Sequence, residues 1–126
     1  MDNIKPLIED LRASDTDVQE NAVDALVKIG APAVNMLIDA VNDGDALMCA
    51  NAIEALGRIG DERALGPLIV ALQDTSQQVI IAAMHALRRI GDPRAVQPLI
   101  AFLSHDDIYI HFHATHTLAQ IKHNDT

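Results

Sequence analysis

Apolar residues recur three and four positions apart along this chain, the spacing of one face of an α-helix. Starting at Val79 they fall at Ala82, Ala83, Ala86, Leu87 and Ile90. One period earlier the stripe is Met48, Ala52, Ala55, Leu56 and Ile59, and before that Val18, Ala22, Ala25, Leu26 and Ile29. Each stripe ends on a glycine, at Gly30, Gly60 or Gly91, the residue that most easily takes the left-handed conformation that stops a helix. A second apolar stripe follows at Val96, Leu99, Ile100 and Leu103, matched by Leu65, Leu68, Ile69 and Leu72 and by Val34, Leu37, Ile38 and Val41. Asp92-Pro93-Arg94 predicts the start of this second helix, with an aspartate cap and a proline in the first turn. Asp61-Glu62-Arg63 and Ala31-Pro32-Ala33 stand at the same place in the other copies.

The two stripes form one unit that repeats. Ala22 to Gly30 returns as Ala52 to Gly60 and again as Ala83 to Gly91, and a degraded copy runs from Ala114 to Ile121, with Lys122 where the glycine stood. Self-similarity at a period near thirty residues predicts stacked supersecondary units rather than one globular core. The chain divides into a half repeat over 2–14, repeats over 15–44, 45–75 and 76–106, and a half repeat over 107–122, eight helices in a single domain. Polar turns rich in Asp, Gly and Ser close the units. Lys5, Glu9, Asp10 and Arg12 give the first helix a polar outer face, as an end unit requires.

Composition narrows the functional classes. Aromatic residues make up only 2% of the chain, so its core is built of Ala, Leu, Ile and Val, which suits closely spaced helices. Cys49 is the only cysteine, and nothing calls for an oxidising compartment. No apolar run approaches a membrane span and no signal-peptide core opens the chain, so a cytoplasmic protein is expected. The net charge is −9, with 13 acids and 5 bases in residues 1–63 against 5 and 4 in the remainder. That balance argues against nucleic acid and anionic membrane as partners and allows a basic protein segment.

The pattern Val-x-x-x-Ala-x-x-Ala-Leu-x-x-Ile-Gly-Asp-x-Arg-Ala-x-x-Pro-Leu-Ile, clearest over 48–72 and 79–103, resembles the HEAT repeat in the short form of phycobilisome-lyase-like proteins. The resemblance implies an all-α, right-handed α-solenoid of about four helical hairpins, armadillo-like in type, with the second helices lining the concave side. It also implies a scaffold role, or alternatively an accessory protein handling a chromophore, cofactor or metal. The arginine that such repeats carry after the opening valine is replaced here by Gln19, Cys49, Ile80 and His111. Arg63 and Arg94 remain to pair with loop acids between units. Deoxyhypusine hydroxylases of this repeat type hold iron on His-Glu dipeptides, and no such dipeptide occurs in this chain, so that chemistry is not expected.

Helical geometry selects the exposed positions of the second helices as a groove for a protein or peptide: Glu9, Asp39, Gly66, Val70, Gln73, Gln97 and Ala101. The first helices put Asp24, Glu54, His85 and His116 in one repeat-equivalent column, expected on the outer, convex side. Five of the six histidines lie at the C-terminal end, where His113 and His116 share a helix face and are the candidate metal ligands; no cofactor is implied. Cys49 reads as a packed thiol, and Asn21 and Asn51 as hydrogen-bonding groups between repeats. Ile108, Tyr109 and Phe112 near the last helix suggest self-association through the C-terminal end face. The chain as a whole reads as a non-catalytic interaction module.

Overall fold

The computed structural model describes residues 3–43 and 45–124. Gly44, inside one of the expected turns, and the side chain of His123 lie outside what it describes. Among the described residues there are eight α-helices and no strand. They are α1 (Ile4–Asp10), α2 (Thr16–Ile29), α3 (Val34–Asp43), α4 (Ala46–Ile59), α5 (Leu65–Ala71), α6 (Gln77–Ile90), α7 (Val96–Ile100) and α8 (Ile108–Asn124).

The helix starts follow from capping chemistry. Asp15 accepts from the Asp17 amide, Asp45 from Met48, Ser76 from Val79, and Asp107 from both Tyr109 and Ile110, so α2, α4, α6 and α8 each begin on a side-chain cap. The stops are the expected glycines. Gly60 and Gly91 have φ of 76° and 70° with ψ of 16° and 19°, the left-handed cap. Gly30 differs, with φ 73° and ψ −131°. After Gly60 and Gly91 an aspartate supplies the extended residue that caps the next turn, whereas Ala31 follows Gly30, so this glycine both ends α2 and caps what comes after.

A three-residue 3₁₀ turn precedes α3, α5 and α7. Asp61 and Asp92 cap two of these turns by accepting from the Arg63 and Arg94 amides while gripping the same arginines' guanidinium groups. The Arg63 guanidinium and amide hold the Asp61 carboxyl down to about 2, and Arg94 lowers Asp92 in the same way. The tight turn also bends the chain: α2 and the segment Ala31–Asn42 lie 116° apart.

The helices form two layers. In one, α2 packs on α4, α4 on α6 and α6 on α8; in the other, α1 touches α3 and α3 touches α5 more sparingly. Across the layers, α1 packs on α2, α3 on α4, α5 on α6 and α7 on α8. Grouped by these cross-layer contacts the same eight helices make four hairpins, while grouping by sequence period cuts them half a unit out of phase; an alternating stack admits either division. The fold is an all-α solenoid. No single described helix is long and apolar enough to cross a membrane.

The predicted stripes supply most of the core, with Ile100 and Leu103 of the last second-helix stripe left exposed. Leu26, Leu37, Ile53, Leu56, Leu68, Leu72, Leu87, Leu99 and Ile121 are fully buried, each worth about 1.5–3 kcal/mol of transfer free energy. One core position escapes the repeat pattern. Gly57 of α4 occupies the place held by Val27 and Arg88 in the neighbouring units, and a Cβ built there would lie 2.7 Å from the Ala86 Cβ and 2.8 Å from its Cα. The two backbones therefore touch where α4 crosses α6.

Polar links then tie successive units together. Asn51 donates to the Leu11 carbonyl at 2.8 Å and to Gln19 at 3.1 Å, as expected for an asparagine between repeats, whereas Asn21 is exposed. Arg58 pairs with Asp24 at 3.0 Å and Arg89 with Glu54 at 3.8 Å, one rung per unit step. Arg94 reaches Glu62 at 3.9 Å and Arg63 donates to the Ala31 carbonyl at 3.2 Å, so both arginines do bridge units. These ion pairs are exposed, so solvent and salt screen them and they add little to stability.

Replacing Gly57 by alanine is expected to lower stability by a net of about 1 kcal/mol or more, because the overpacking cost exceeds the gain in helix propensity. Gly66→Ala, in α5 where an added methyl meets nothing within 4 Å, is expected to raise it by about 0.5–1 kcal/mol. Thermal unfolding of the two variants beside the parent checks both signs.

Candidate functional site

All seven residues expected in a second-helix groove are exposed on α1, α3, α5, α7 or the turns that follow them. They do not share one depression. Glu9 and Asp39 line a hollow of about 300 Å³ with Lys5, Arg12 and Met36. Val70 and Gln73 line another of about 290 Å³ beside Cys49, and Gly66 a third of about 370 Å³ with Arg63 and Arg94. Gln97 and Ala101 sit on open surface further along.

A broader depression lies on the opposite layer. It measures about 580 Å³ and crosses α2, α4 and α6, with Glu20, Asp24, Asn51, Glu54, Arg58 and His85 among its lining residues. Asp24, Glu54 and His85 belong to the column that sequence reasoning put on the convex outside. The correction has a physical basis. Helices α2, α4 and α6 are each 14 residues long and pack side by side, so their outward faces together wall one depression, whereas the shorter α1, α3 and α5 leave separate hollows. Helical periodicity alone locates a column relative to the core, but it does not say whether neighbouring columns wall a depression.

The groove's electrostatics follow from the rungs already described. Asp24 and Glu54 are partly neutralised by Arg58 and Arg89, and Glu20 adds a further carboxylate to the lining. The floor is small and apolar at Val23, Ala50 and Ala82. Three helices of this kind, 30 or 31 residues apart in sequence, make an open trough rather than an enclosed chamber for a small substrate.

The histidines are arranged differently from expectation. His113 does not converge with His116; it meets His85 of the preceding unit, His85 Nε2 lying 3.3 Å from His113 Nδ1 with ring centroids 5.0 Å apart. His116 instead stacks on Phe112, 6° from parallel. Burial of the His85 ring, then His113 and the Arg88 guanidinium, lowers the His85 pKa below the ordinary histidine value, against a smaller opposing pull from Glu54. Among the described residues no three His, Cys, Asp or Glu side chains cluster as metal ligands. Cys49 is buried, and burial together with nearby Asp74 pushes its thiol pKa up, which makes it the packed, unreactive thiol its position implied.

Comparison with known proteins agrees with this architecture. Among solved structures, the CpcE–CpcF complex of phycocyanin lyase from Nostoc sp. PCC7120 is 26% identical, with a TM-score of 0.85, over 95% of this chain and 78% of that one. Human deoxyhypusine hydroxylase is 24% identical with a TM-score of 0.80, over 98% of this chain and 45% of that one. A designed armadillo repeat protein in complex with the peptide (KR)4 is 21% identical with a TM-score of 0.65, over 94% and 64%. No protein of curated function matches. The sequence pattern of the HEAT repeats matches residues 4–88 and again 65–126, and the chain belongs to that family.

Proposed function

We propose that this chain is a non-catalytic protein-interaction module whose binding face is the trough across α2, α4 and α6. The observation that carries the reading is the continuity of that trough over three successive units. Packed helices lie about 8–10 Å apart, so the trough spans roughly 20 Å, the length of about six residues of extended peptide. Its carboxylates, Glu20, Asp24 and Glu54, favour a partner segment carrying lysine or arginine, and the excess of acids in the N-terminal half steers such a segment toward this end. The second-helix surface around Glu9, Asp39, Gly66, Val70, Gln73, Gln97 and Ala101 is the competing face. A labelled peptide of alternating lysine and arginine, followed by fluorescence anisotropy, separates the two. Asp24→Lys with Glu54→Lys is expected to weaken binding about tenfold or more, and Val70→Arg with Ala101→Arg to leave it unchanged. The reverse pattern moves the binding face to the second helices.

The C-terminal end supports a second contact, with another copy of the chain. Leu72 is 1% exposed beneath the following unit, yet its repeat equivalent Leu103 is 39% exposed and Ile100 42%. With Val96, Thr115 and Leu118 they line a hollow of about 300 Å³, and Ile108, Tyr109 and Phe112 project nearby. The N-terminal end carries the polar Lys5, Glu9 and Arg12 and most of the negative charge, which favours end-to-end pairing through the C-terminal faces. Sedimentation velocity is expected to show a dimer that Ile100→Asp with Phe112→Asp converts to monomer; monomer alone at high concentration refutes it.

The likeness to phycocyanin lyase subunits favours one other reading, an accessory protein that handles a chromophore or cofactor. Protein purified without a histidine tag from the native host then shows a visible absorption band; a colourless protein counts against it.

A further inference from the structure

The His85–His113 pair has a geometry that the interaction reading does not use. The two rings come from successive units, α6 and α8, and present nitrogens to each other across the interface at 3.3 Å. Two imidazole nitrogens each about 2.0–2.1 Å from a tetrahedral ion lie about 3.3–3.4 Å apart, so the observed separation already equals the bite of such an ion. We propose that His85 and His113 form a two-nitrogen site for divalent zinc or copper, with water completing the coordination.

Several features of the surroundings favour this chemistry. A metal takes imidazole through the lone pair of its neutral form, and the two rings are half-buried where α6 meets α8. Glu54, across the unit boundary on α4, offers a carboxylate that attracts a cation, while Arg88 and Arg89 oppose it. His85 also lines the trough, which leaves the remaining coordination positions open to water on that side. Without metal, one ring donates its N–H to the other. An ion between them takes both lone pairs, so the donating ring moves its proton to its second nitrogen and the site need release none. Imidazole pairs suit copper and zinc, and the hard cations magnesium and calcium, which prefer oxygen, are excluded.

The test uses untagged full-length protein titrated with zinc chloride or copper sulfate by calorimetry. One equivalent is expected to bind most tightly, with His85→Gln or His113→Gln each lowering its affinity about tenfold or more and His116→Gln leaving it unchanged. Helical circular dichroism confirms that the variants fold. Side-chain NMR of the unmutated protein provides a readout independent of any variant: zinc shifts the His85 and His113 ring resonances before those of His105, His111 and His116. Equal affinity in the His85 and His113 variants, or ring shifts that begin at the other histidines, overturns the site.

Discussion

The close approach of neighbouring helices within one layer is the constraint on which the rest of this molecule depends. At Gly57 and Ala86 the backbones of α4 and α6 meet with no room for a further methyl group, and alanines at 52, 55, 83 and 86 keep the surrounding surface low. Larger side chains, chiefly leucine, make up most of the fully buried volume. This division of labour explains how a chain with almost no aromatic residues fills its core.

The helices themselves were fully legible in the sequence. Their stripes, glycine stops and aspartate caps are local features, readable within a window of fifteen residues, and they fall where the periodicity predicts. Less legible was anything that depends on how units meet. Gly57 looks like one more variable surface position beside Val27 and Arg88 until the crossing of α4 and α6 is known. Asp24 and Glu54 lie on the correct column by periodicity, but whether that column walls a depression is a property of the whole stack. The sequence pattern of the second helices, equally amphipathic, pointed just as well to the other face.

The histidines make the same point from a different direction. His113 and His116 share a helix face, the relation that sequence spacing exposes, yet the side chain that meets His113 is 28 residues away. There is a rule behind the miss. Across a unit boundary a residue meets neither its own repeat equivalent nor its helical neighbours, but positions displaced from that equivalent by part of a turn or one turn. Asp24 has Glu54 as its equivalent and meets Arg58; Glu54 has His85 and meets Arg89; His85 has His116 and meets His113. The displacement is four residues forward for the two ion pairs and three back for the histidines, so repeat equivalence alone does not recover these contacts.

The offset has a consequence for how such a chain can change length. Because each rung joins only adjacent units, excising one whole period between the glycine stops would bring Asp24 opposite Arg89, an acid and a base again at the same displacement. Val27 would then face Ala86 in place of Gly57, where even a Cβ comes within 2.7 Å of the Ala86 Cβ. The charged rung would thus survive the splice, while the helix crossing beside it would be overpacked. Loss of that unit would shorten the trough by one helix, keeping an ion pair across the new joint but not the close backbone contact that only a glycine allows.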